Sequence, residues 1–166
     1  MFWGLYGMST LRVDSIRGQT AGTDRYIIQV KQAVEKIANF NTSSTSFVAS
    51  GLDIDFTPTL STSKVLIQAL TTMDTRSAGR QIFATLYRDS TRLDTTLIAS
   101  DSDGLGSFYN GSNRDILGSS FYIIDSPNTT SSIHYELYLR SNSSSEEVTL
   151  GSQGQSSVIM CMEIAQ

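Results

Sequence analysis

The chain has 166 residues, a net charge of −4 and only 17% charged residues, below the usual share of about a quarter. In their place stand 26 serines and 18 threonines, with 39% apolar residues and 2 prolines. That balance excludes wholesale disorder and a Pro-rich stalk, and the lack of a basic patch argues against duplex nucleic acid as a partner.

The single cysteine, Cys161, rules out an intrachain disulfide framework, and the single histidine, His134, leaves no His pair for a metal. No apolar run reaches the roughly 20 residues of a membrane helix, so no membrane insertion is expected. The length fits one domain, 26–166, behind a short arm, 1–25.

Residues 1–7 are apolar and aromatic but carry no basic flank, which is unlike a signal peptide. They read as an upstream extension or a docking tag, with Met8 as a second possible start. In 9–25, Leu11 and Val13 alternate with Arg12 and Asp14 before Gly18, Gly22 and Asp24 break the pattern. This segment reads as an arm outside the core. Ile27, Val30, Val34 and Ile37 sit three, four and three apart. That spacing fits one short helix over 27–38, and a period of two fits the same stretch as a strand; both stay open.

Beyond residue 45 the pattern is β. Leu52, Ile54 and Phe56 alternate with Gly51, Asp53 and Asp55, and Pro58 ends the run. Val65–Ile67 and Ile82–Tyr87 carry apolar residues on both faces. Short strands are expected at Leu97–Ile98 and Phe121–Ile124. Ile133, Tyr135, Leu137 and Leu139 alternate with His134, Glu136, Tyr138 and Arg140, and Val158, Met160, Met162 and Ile164 mark a last strand. Seven or eight short strands separated by turn signals predict an all-β, jelly-roll-like antiparallel β-sandwich. A sandwich needs apolar residues only on its inner faces. The surplus on the second face reads as surface decoration or as a subunit interface, and the interface is favoured.

Little in the sequence supports catalysis. A Cys161–His134 dyad would need the two side chains in contact, and both fall on strands with no loop pocket. Asp101-Ser102-Asp103-Gly104 is similar to the start of a calcium loop but lacks the closing carboxylate. Gly104-Leu105-Gly106 is too short for a phosphate cradle. Asn-x-Ser/Thr at Asn41, Asn110, Asn128 and Asn142 is expected by chance in so Ser/Thr-rich a chain. Asp53/Asp55 and Glu146/Glu147 read as solvated carboxylates, not an acid–base pair. No cofactor is implied. The stretch 100–120, with no strong strand, contains Phe108, Tyr109, Asn110, Asn113 and Arg114 among glycines. Aromatic, amide and guanidinium groups together suit contact with a host glycan or protein, or with a neighbouring subunit.

Thr42-Ser43-Ser44-Thr45-Ser46-Phe47-Val48, running into Gly51-Leu52-Asp53-Ile54-Asp55-Phe56-Thr57-Pro58 and Ser61-Thr62-Ser63-Lys64-Val65-Leu66-Ile67, resembles a segment of tail-fibre and other virion proteins of tailed bacteriophages, the cyanophage and marine phage type especially. Tyr122-Ile123-Ile124-Asp125-Ser126-Pro127 with Thr129, Thr130, Ser131 and Tyr135, the opening Ser9–Ile16 and the ending Met162–Ala165 extend the resemblance over most of 9–166. It implies a homotrimeric β knob in the virion, without catalytic residues. It also implies an arm that docks through Leu11, Arg12, Val13, Asp14 and Ile16 onto other virion proteins of tail or capsid. The short chain and aromatic extension suit a short fibre tip, and equally a capsid decoration or head-fibre protein.

Overall fold

The structure, a computed structural model, describes residues 25–35, 40–95, 104–111, 113–145 and 147–166. These residues form eleven strands: β1 (Ile27–Glu35), β2 (Phe40–Thr42), β3 (Val48–Phe56), β4 (Lys64–Thr75), β5 (Arg80–Arg88), β6 (Thr91–Arg92), β7 (Gly106–Asn110), β8 (Asp115–Asp125), β9 (Ile133–Ser141), β10 (Val148–Leu150) and β11 (Ser157–Ile164). One 3-10 turn, Ser152–Gly154, precedes β11.

Eight strands carry the architecture. The first pairs with the last, β1 with β11; β3 pairs with β9, β4 with β8 and β5 with β7, all antiparallel. Rolling up this long nested hairpin yields sheet A, ordered β1-β11-β4-β8, and sheet B, ordered β3-β9-β5-β7. That order is the jelly roll, as expected. The short β10 and β2 extend sheet A beside the far end of β4, and β6 lies on the edge of β5.

The core lies between the sheets. Sheet A contributes Val65, Ile67, Ala69, Ile123, Ile159 and Cys161, and sheet B contributes Leu52, Ile54, Phe56, Leu86, Leu137 and Leu139. Of the alternating run on β9, Ile133, Tyr135, Leu137 and Leu139 form the inward side and are all buried. A polar post ties the sheets together. Arg88 Nη1 on β5 donates to both oxygens of Asp125 on β8, at 3.0 and 2.9 Å, and the Tyr135 hydroxyl on β9 donates to Asp125 Oδ2 at 2.8 Å.

One open alternative is settled, one expectation needs correction, and the last strand gains its faces. The stretch open to helix is strand β1 over its described residues. A register shift between Ile27 and Gln29 inserts one extra residue. That bulge turns a spacing of two into three, so Ile27, Val30 and Val34 share one sheet face while imitating a helical period. The stretch 100–120 is also not a bare loop, since β7 and most of β8 lie in it. Two of its glycines serve close packing: at Gly104 a Cβ would overlap the Ala84 carbonyl oxygen, and at Gly106 it would press into the Phe121 ring. On β11 the apolar set Val158, Met160, Met162 and Ile164 faces away from the core, and Ser157, Ile159, Cys161 and Glu163 face inward. The expected strand at Leu97–Ile98 and the arm residues Leu11, Arg12, Val13, Asp14 and Ile16 lie outside the described residues.

Candidate interaction surface

The five residues expected at a contact loop are separated by the fold. Phe108 turns inward from β7 and packs, half-buried, against the core. Asn110 is fully buried, and its Nδ2 donates to the Thr75 carbonyl at 3.1 Å. Arg114 reaches back to β4, where Nη2 meets Asp74 Oδ2 at 2.6 Å and Nε meets Oδ1 at 3.2 Å. The Ser152 hydroxyl donates to the same Asp74 oxygen at 2.7 Å. Burial alone would raise the Asp74 carboxyl, but the bonds from Arg114 and Ser152 hold it below the ordinary value. Arg114 is therefore a structural clamp on a buried carboxylate. Tyr109, 60% exposed, and Asn113 remain open to a partner, and Arg114 keeps an exposed flank beside its ion pair.

The Cys161–His134 pair does not assemble. Cys161 faces the core from sheet A, and burial pushes its thiol up to about 12, leaving no thiolate at neutral pH. His134 lies on the outer side of sheet B. Its Nδ1 is 2.8 Å from Asp55 Oδ1 and its Nε2 is 3.5 Å from Glu136 Oε2. The Asp55 bond, helped by Asp53 and Glu136, raises the imidazole above its usual value against the opposing effect of burial. Asp55 is thus a partner of the ring rather than merely solvated. Glu136 in turn accepts from the Gly51 amide at 2.8 Å. Gly51 has φ +76, in the register shift between β3 and β9, where a side chain would be strained.

Sequence reasoning missed the hub at Glu163. This fully buried carboxylate accepts from the Thr59 and Leu60 amides at 2.9 Å and from Gln29 Nε2 at 2.7 Å. It pins the β3–β4 connection to the edge of sheet A. A lone Glu in an apolar strand was the available signal, but nothing nearby in sequence names its donors.

The outer face of sheet A is uncharged and mostly apolar over three rungs. Register places Val30, Met162, Leu66 and Ile124 side by side across four strands. The next rungs are Gln32, Met160, Gln68, Tyr122 and then Val34, Val158, Leu70, Ser120. Tyr122 is 71% exposed and Leu70 is 53% exposed. Gln32, Gln68, Leu70, Val158 and Met160 line a shallow depression of about 300 Å³. Among the described residues, no cluster of His, Cys, Asp and Glu is arranged to hold a metal ion.

No protein-family model matches the chain, and no curated protein sequence is similar to it. Solved structures with distant similarity include the infectious bursal disease virus Gt strain, at 9% identity and TM-score 0.48, covering 93% of this chain and 40% of the other. The Gx strain of that virus is similar at 11% identity and TM-score 0.45, covering 93% and 44%. The VP2 subviral particle of the same virus is similar at 15% identity and TM-score 0.43, covering 92% and 44%. The chain spans less than half the length of each.

Proposed function

We propose that the chain is a non-enzymatic structural subunit of a bacteriophage virion, a short tail-fibre or knob protein that contributes to host-surface attachment. In this reading it assembles as a homotrimer and docks on the particle through residues 1–25. The observation that carries it is the uncharged apolar outer face of sheet A, which a lone sandwich has no use for. The resemblance of the 42–67 and 122–135 segments to tail-fibre proteins supplies the virion setting.

A capsid decoration protein is the second reading, and one observation favours it. Phe108, Asn110 and Arg114 are engaged in the fold, which leaves a small receptor-facing set, Tyr109 and Asn113. Gold-labelled antibody against the chain, applied to intact particles, separates the two. Label at the tail supports the fibre reading, label over the shell supports decoration, and absence from purified particles overturns both. If the label is at the tail, Tyr109→Ala with Asn113→Ala should slow host adsorption while leaving particle yield unchanged.

A further inference from the structure

We infer that the outer face of sheet A is where copies of this chain join, each face burying against another copy. The inference rests on the reading of the chain as an assembling subunit and adds the surface that does it.

The first argument is the distribution of charge. The three rungs from Val30 to Ser120 contain no charged side chain. The charged residues next to these rungs are turned the other way or, for Lys64, stand at the rim of the face. Glu163 and Asp125 are buried on the inner side. Lys31 stands at an inward position on the edge strand, where its Nζ donates to the Asp55 carbonyl at 2.6 Å. Lys64, beside Ile164, is at the rim. An exposed sheet face is ordinarily protected from association by charges pointing outward. On β11 the sequence does the reverse, placing Val158, Met160 and Met162 outside and Glu163 inside.

The second argument identifies the partner. With no cation on the face, an anionic lipid surface or a nucleic acid has nothing to bind. A second copy carries the same net charge of −4, and it meets no repulsion only if the contact lies on an uncharged face such as this one. The central rung contains two glutamines, Gln32 and Gln68, on either side of Met160. Each amide is both donor and acceptor, so polar groups of a neighbouring copy can satisfy it without any charge. Four strands by three rungs cover roughly 400 Å² of projected sheet, a patch size that is often functional even on a single subunit.

The test uses the full chain and two tyrosines of similar exposure on opposite sheets. Tyr122 lies on the proposed face, and Tyr109 lies on sheet B. Light scattering should return about three times the monomer mass. Hydroxyl-radical labelling of that species should modify Tyr122 about fivefold or more slowly than Tyr109, since the core of an interface excludes water. Leu70→Glu, a change at an exposed position, should yield a monomer in which the two tyrosines react alike. Ala49→Glu, on the outer side of sheet B, should leave the mass unchanged. If Leu70→Glu fails to fold, the ratio within the wild-type sample still decides. An oligomer with Tyr122 as reactive as Tyr109 overturns the face and leaves the virion reading standing. A wild-type monomer, with or without protection of Tyr122, overturns the second copy as occupant.

Discussion

Arg114 shows how a residue's type can point to one role and its neighbours to another. In sequence it stands beside aromatics and amides and reads as a contact residue. In the fold its guanidinium lies on the buried Asp74, although 42% of its side chain is exposed. Arg114→Ala should therefore lower stability, because Asp74 would keep only Ser152 as a side-chain partner. Differential scanning calorimetry should show a Tm lower by about 5 °C, with Tyr109→Ala nearly silent. Glu163 gives a pH signature. Burial opposes its ionisation, but the Thr59 and Leu60 amides and the Gln29 and Ser63 side chains hold the carboxyl down to about 2, against 4.5 ordinarily. A folded value below the unfolded one stabilises the protein above about 4.5 and loses that stabilisation as pH falls toward 2. Glu163→Gln should lower urea stability by about 2–3 kcal/mol at neutral pH. The gap to the wild type should close on acidification.

Strand β11 is the element where period and burial part company. Alternation announced a strand correctly, but period two marks two faces without saying which is inward. The more apolar set is on the outside. Substitution along the strand should reveal this. Ile159→Ala should cost about 2–4 kcal/mol and shift the unfolding midpoint equally at every protein concentration. Met160→Ala should instead weaken the rise of the midpoint with concentration, because assembly contributes stability by mass action. Equal behaviour of the two variants would contradict the proposed assembly through this face. β1 teaches a related lesson. One bulge residue between Ile27 and Gln29 makes a strand face look like a helical seam, and only the partner strand β11 reveals the bulge.

For the whole molecule, a face without charges predicts how the assembly responds to salt. Contacts held by ion pairs weaken between about 0.05 and 0.5 M salt, where the screening length shrinks several-fold. The mass of the proposed oligomer, read by sedimentation, should stay constant across that range. Dissociation by salt would move the interface to the charged outer side of sheet B, around Asp53, Asp55 and His134.

The sequence by itself determined the all-β class, the sandwich and most strand positions, because alternation and turn residues are local properties. The cross-strand register was decided only in three dimensions. It chose the inner side of β11, brought Thr59, Leu60 and Gln29 to Glu163, and gave Asp74 to Arg114. Each of those pairings joins residues at least 40 apart in the chain except that of β11's own faces. No short window of sequence contains both partners, so the choice falls to nested pairing of first strand with last, which exists only once the chain has rolled up.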